Sequence, residues 1–194
     1  FGGSDSFSVD ITKFVKAGST HSLVVVASSD LRSGLQSAGK QSLRNDPFEC
    51  MYTRTTGIWQ TVWMEAVAPT GIKRVKTTTD IDRSTVTMEF TMFRNATGNT
   101  LTINVKDGAK VVATDTAPIA SGSIVTLPIK KAKLWSPESP FLYDVEYILK
   151  DAAGNVIDEV ASYFGMRKIH TEGNKIFLNN QPYYQRLVLD QGFY

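Results

Sequence analysis

Apolar and polar residues alternate with a period of two along most of the chain, and no stretch holds the 3.6-residue period of a long amphipathic helix. The alternation predicts strands over 7–11, 22–27, 58–66, 72–80, 85–93, 100–106, 110–116, 123–128, 142–150 and 156–164. Turn chemistry separates them: Asn95-Ala96-Thr97-Gly98-Asn99, Asp107-Gly108, Ser121-Gly122 and Ala153-Gly154-Asn155 supply the residues that tolerate left-handed backbone or bond their own main chain. Asp107-Gly108 between two alternating runs is the sharpest hairpin signal. Near the end, Pro182 leads into Tyr183-Tyr184-Gln185-Arg186-Leu187-Val188-Leu189, the content of a further strand with nothing after it to cover its apolar side chains. The fold class is therefore all-β.

Two places break the rhythm. Residues 28–54 are polar, rich in Ser, Gly, Gln and Arg, and without periodicity; loops of that length are uncommon and often functional. At Val67-Ala68-Pro69-Thr70-Gly71 a proline and a glycine divide two strand-dense halves, and from there to Phe164 the strand spacing matches a seven-stranded sandwich of about 100 residues. A second boundary falls near Gly165, where the tail starts strands of a different spacing.

Composition narrows the function classes. The 194 residues are 42% hydrophobic and 21% charged with a formal charge of +2, a globular balance that singles out no charged partner. The densest basic cluster, Lys130-Lys131-Ala132-Lys133, lacks interleaved aromatics and reads as a solvated edge, so nucleic acid is not an expected partner. No apolar run approaches the roughly 18 to 20 residues of a membrane span, so no membrane partner is expected. The single cysteine, Cys50, excludes an internal disulfide and reads as a buried small hydrophobe, since neither His21 nor His170 is a local base for it. The start has no initiator methionine and is neither basic nor apolar enough for a signal peptide, so both ends are expected to be cut from a longer chain.

Three stretches carry a family resemblance. YTRTTGIWQTVWME at 52–65 resembles the segment that closes the N-terminal sugar-binding domain of glycoside hydrolase family 2, the family of β-galactosidases, β-glucuronidases and β-mannosidases. LWSPESPFLY at 134–143 is similar to the Trp-x-Pro-x-x-Pro-x-Leu-Tyr signature of that family's immunoglobulin-like domain. FGMRKI at 164–169 with FLNNQP at 177–182 resembles the lead-in to its (β/α)₈ catalytic barrel. They occur in the family's order. The resemblance implies the C-terminal part of a jelly-roll sugar-binding domain over 1–68, an immunoglobulin-like β-sandwich over 69–165, and the lead-in and first strand of a truncated TIM barrel over 166–194.

The residues also read on their own. Trp59, Thr61 and Trp63 share one strand face, either as a large buried anchor or as a platform that stacks on a sugar. The prolines at 137 and 140 fix an extended connection into the strand that starts at Leu142, with Trp135 capping the sandwich.

The family cleaves β-linked sugars with retention, using a glutamate acid/base and a glutamate nucleophile whose carboxyl groups lie about 5 to 5.5 Å apart. The resemblance places both beyond residue 194, so no catalytic residue is assigned and these residues alone are expected to be inactive. Where some relatives present a substrate aspartate, this chain has Met51. Substrate-binding candidates are Arg54, which could equally anchor the long loop through its guanidinium fork, and Asp190 and Gln191 at the C-terminal end of the barrel strand. The implied partner of the intact parent is a β-linked oligosaccharide or glycoside, with homo-oligomerisation left open. No metal or cofactor is expected here, and exported bacterial relatives suggest a periplasmic or secreted location. The alternative is a free-standing carbohydrate-binding or adhesion module of sandwich type, which would need exposed aromatics on a rigid face.

Overall fold

A computed structural model describes residues 5–189, which contain strands and turns and no helix. The described residues divide into two compact units, one running to Met64 together with 187–189 and the other spanning Glu65–Arg186.

The second unit holds all the strands. β1 (Ile72–Asp80), β2 (Thr85–Met92) and β5 (Ile124–Pro128) form one sheet in the order β1-β2-β5, and β3 (Thr100–Asp107), β4 (Lys110–Pro118), β6 (Tyr143–Lys150) and β7 (Val156–Phe164) form another in the order β4-β3-β6-β7. Every pairing is antiparallel. The inward sets are those the alternation requires: Val86, Met88 and Phe90 from β2, Leu101, Ile103 and Val105 from β3, and Tyr143, Val145, Tyr147 and Leu149 from β6, each at most 2% exposed. Burying such a side chain contributes about 1.5–3 kcal/mol, so these positions hold the two sheets together. At the centre the Phe90 and Tyr147 rings meet edge to face at 5.6 Å, and the Tyr147 hydroxyl reaches Met88 Sδ at 3.5 Å. Burial pushes that hydroxyl's pKa up from its ordinary value.

The proline-framed connection between β5 and β6 closes one end. The Tyr143 hydroxyl, at the start of β6, accepts the backbone N–H of Lys133 at 2.8 Å, and the Tyr143 ring stacks on Phe164 at 5.4 Å. A tyrosine that opens this strand and bonds back to the preceding corner is a recurrent device of immunoglobulin-like sandwiches.

Beyond the sandwich a small antiparallel meander, β8 (Ile169–Glu172), β9 (Lys175–Leu178) and β10 (Gln181–Pro182), pairs in the order β10-β9-β8. Its second turn is Asn179-Asn180, with φ of 52° and 63°. Two positive φ angles between paired Leu178 and Gln181 are what a type I′ hairpin needs, and asparagine is among the few residues that tolerate both.

Several sequence expectations are corrected. Residues 7–11, 22–27 and 58–66 are not strands: among the described residues before β1 the pairing is limited to the isolated bridges Gln41–Tyr52 and Phe48–Met51. Alternation makes a strand only where a neighbouring ladder takes up its N–H and C=O groups, and among the described residues no ladder runs along these segments. Trp59 and Trp63 are accordingly not a buried anchor, being 59% and 72% exposed. Pairing in the tail stops at Pro182, and 183–189 is irregular, with Tyr184, Leu187, Val188 and Leu189 each at least 79% exposed. Cys50 is exposed rather than buried. It follows Glu49, whose φ of 50° marks a tight reversal at the surface. The β3–β4 hairpin exists, but its loop is Gly108-Ala109, with Asp107 paired to Lys110 and Gly108 at φ 60°, the first position of a type II′ turn.

Candidate functional site

In the first unit the long polar stretch is ordered locally. Ser42, 1% exposed, donates from Oγ to Asp46 O at 2.8 Å, and Gln41, 8% exposed, accepts the Thr55 N–H on Oε1 at 2.8 Å. Tyr52 O and N bond Ser42 N and Lys40 O, which closes 40–52 into a loop. Arg44 lies 3.9 Å over the Phe48 ring. Arg54 extends from the far side of this loop, donating from Nη2 to Asn45 Oδ1 at 3.1 Å. It shares an open recess of about 250 Å³ with Ser29, Asp30, Arg32, Leu43 and Thr56. Arg32 in turn donates to Leu43 O at 3.2 Å. Arg54 thus ties the long loop through Asn45, the anchoring role that its sequence position left open. Asp190 and Gln191, the other two candidates, lie outside the described residues.

The second unit brings together the two downstream motifs. Trp135 N donates to Met166 O at 2.9 Å, and the Arg167 guanidinium lies 4.9 Å over the Trp135 ring. Gly165 packs closely here: a Cβ would stand 3.2 Å from Trp135 Cβ and 3.3 Å from Leu142 Cδ2, so those neighbours would have to give by a few tenths of an ångström. Asn179 then ties the meander in, donating from Nδ2 to Trp135 O at 2.9 Å and accepting Lys168 N–H on Oδ1 at 3.1 Å. Asp82, in the β1–β2 turn, accepts Lys168 Nζ at 2.6 Å and Asn180 Nδ2 at 2.7 Å. Thr79 Oγ1 donates to Arg167 O at 3.2 Å, and Tyr183 OH donates to Glu138 Oε1 at 2.9 Å.

Electrostatics follow these bonds. Donation from Lys168 and then from Asn180 holds the Asp82 carboxyl below its ordinary value. Glu138 is held low by its own backbone N–H, then by Tyr183 and Ser136, and the same contact with Glu138 raises the Tyr183 hydroxyl. Glu146 is lowered by Asn104 and then by Lys106, whose Nζ is 3.1 Å away. These carboxylates have partners that stabilise their charged form, the reverse of what raises a general acid towards neutrality.

The sequence motifs mark Trp135, Gly165 and Asn179. They do not mark Asp82, whose role depends on a contact 98 residues away with Asn180. The one signal that could have located the joint is Asn-Asn between two short apolar runs, a hairpin cue in its own right.

Comparison with known proteins places the chain. The profile of Glycosyl hydrolases family 2 matches residues 70–167. Among curated relatives, the β-galactosidase large subunit of Leuconostoc lactis is 33% identical over 94 residues, 47% of this chain and 14% of that protein. The β-glucuronidase of Paenibacillus borealis is 31% identical over 68 residues, 35% of this chain and 11% of its own length. A solved β-D-glucuronidase from Dictyoglomus thermophilum superposes with a TM-score of 0.48 at 25% identity, covering 59% of this chain and 18% of that one. The matched stretches thus span less than a fifth of each of these relatives. The family profile covers the sandwich from just before β1 to just after β7, including the tyrosine corner and the Trp135–Met166 contact. This chain belongs to glycosyl hydrolase family 2.

Proposed function

We propose that these residues are the non-catalytic β-rich portion of a retaining β-glycosidase of the β-galactosidase type, acting on terminal β-linked sugars. In this reading 1–68 derive from the sugar-binding jelly roll, 69–165 are the immunoglobulin-like sandwich, and 166–194 lead into the first strand of the catalytic barrel. The observation that carries it is the family match over the whole sandwich, supported by relatives named β-galactosidase and β-glucuronidase.

The carboxylates support a scaffolding role. Glu89 pairs with Lys76, Glu146 with Lys106, Glu138 accepts from Tyr183, and Glu172 meets His170. Each is committed to a partner on the β framework. Hydrolysis with retention needs instead two carboxyl groups flanking one bond, in different protonation states. Chemistry would come from outside this stretch, and Arg54, Asp190 and Gln191 would contribute at most sugar contacts.

The test is stereochemical. The protein encoded by the full reading frame around residues 1–194 should hydrolyse an aryl β-galactoside, with the β-anomer forming first in proton NMR. No hydrolysis of β-galactoside or β-glucuronide, or an α-anomer formed first, would count against the reading.

A further inference from the structure

We propose that Asp82, Asn179 and Asn180 are positioning residues: they fix the β8–β10 meander to one end of the sandwich and thereby set the direction in which the chain continues past Pro182. The starting observation is chemical. A type I′ turn is satisfied by Asn-Gly or Gly-Gly, in which glycine adopts positive φ without a Cβ penalty. Here both positive-φ positions are asparagine, and both side chains are used outward from the turn. Asn179 bonds Trp135 O and the Lys168 N–H, and its own N–H bonds Lys168 O at 2.8 Å. Asn180 bonds Asp82.

The two attachments go to different parts of the sandwich. Trp135 lies in the β5–β6 connection and Asp82 in the β1–β2 turn, so the meander is held at two separate points. Thr79 to Arg167 and Tyr183 to Glu138 add ties to the same two regions. One attachment would leave a free pivot and two would leave rotation about the line joining them, which the Thr79–Arg167 and Tyr183–Glu138 ties restrict. Tyr183, the first residue after β10, is included: its N–H bonds Ile176 O at 2.9 Å while its hydroxyl bonds Glu138. The exit direction of the chain is therefore coupled to the sandwich, whatever the following segment does.

The two sides differ in strength. Asp82 and Lys168 have side chains 50% and 37% exposed, and such surface pairs contribute little individually. Asn179 is half-buried and makes two side-chain bonds, so its loss leaves a carbonyl and an N–H short of partners.

The experiment is amide hydrogen exchange on the 194-residue chain, comparing the native sequence with Asn179→Gly, Asn180→Gly, Asp82→Ala and the Asp82→Ala/Asn180→Gly double variant. Glycine keeps the turn and deletes only the outward bonds. Exchange over 168–183 should rise roughly tenfold in Asn179→Gly and about threefold in Asn180→Gly and Asp82→Ala. Amides of β3 and β6 should be unchanged, and the double variant should exchange like Asp82→Ala alone, because Asp82→Ala already removes the Asn180 bond along with the Lys168 one. Unchanged exchange in all variants, additive effects in the double variant, or β3 and β6 accelerating in step with the meander would overturn the proposal. The readout is exchange rather than turnover, so it stands or falls apart from the glycosidase reading.

Discussion

At the scale of single residues, Tyr143 shows a polar side chain serving the fold: it is 2% exposed and its hydroxyl accepts the Lys133 N–H. Tyr143→Phe keeps the ring and leaves that N–H without its acceptor, so stability should fall by about 1–3 kcal/mol. In a urea titration this should appear as a lower midpoint with an unchanged slope; an unchanged midpoint would show the bond to be idle. Asp82 gives a pH prediction. Its pKa in the fold lies below the ordinary 3.8, so its contribution is complete above the unfolded value and is lost as pH falls through the lower folded one. The Asn180 side-chain amide protons should therefore shift in NMR with a midpoint below pH 3.8, and a midpoint at or above it would contradict the Lys168 and Asn180 contacts. Arg54 could be picked out from sequence as a polar candidate, but its bond to Asn45 could not, because loop closure over 40–52 is set by backbone contacts that follow no period.

At the scale of elements, the strands predicted for the sandwich form, and those predicted at 7–11, 22–27 and 58–66 do not. Thr85 to Met92 has partners on both sides, β1 and β5, which turn its pattern into a buried face. Residues 22–27, Ser-Leu-Val-Val-Val-Ala, have the β-branched content of a strand as well, yet Val24 is 81% exposed and Val26 84%. Period alone reports what a segment can bury, and pairing decides whether it does. Turns divide in the same way. Asp107-Gly108 locates a hairpin correctly, but the loop lies one residue further on, since Gly108 takes the positive-φ position that a type II′ turn asks of glycine. Gly98 is the sharper mutational test, because its φ is 84° and an added Cβ would lie 2.7 Å from Ala152 Cβ. Gly98→Ala should cost about 1–3 kcal/mol through strain and overpacking, whereas Gly122→Ala, with open space at its Cβ, should cost less. Thermal midpoints of the two variants check the order, and equal midpoints would show that the Ala152 contact relaxes freely.

At the scale of the whole molecule, burial is concentrated in one unit. Among the described residues, all the buried hydrophobic ones lie between Val86 and Leu178, while the first unit buries the polar pair Gln41 and Ser42. Limited proteolysis should therefore cut before Glu65 first and leave a resistant core matching 65–186. Early cleavage inside β2, β3 or β6, seen by mass spectrometry, would contradict this distribution. The family could be recognised from three motifs, two of which the fold explains as corner and joint. The sugar-contacting candidates gain least from the structure, since Arg54 faces an open recess and Asp190 and Gln191 fall outside the described residues. The most direct measurement is release of nitrophenol from an aryl β-galactoside by residues 1–194 alone, beside the protein of the full reading frame at equal concentration. Turnover by the longer protein and none above the uncatalysed rate by the 194 residues is the expected result. Hydrolysis by the 194 residues themselves would contradict the assignment of this stretch as framework rather than catalyst.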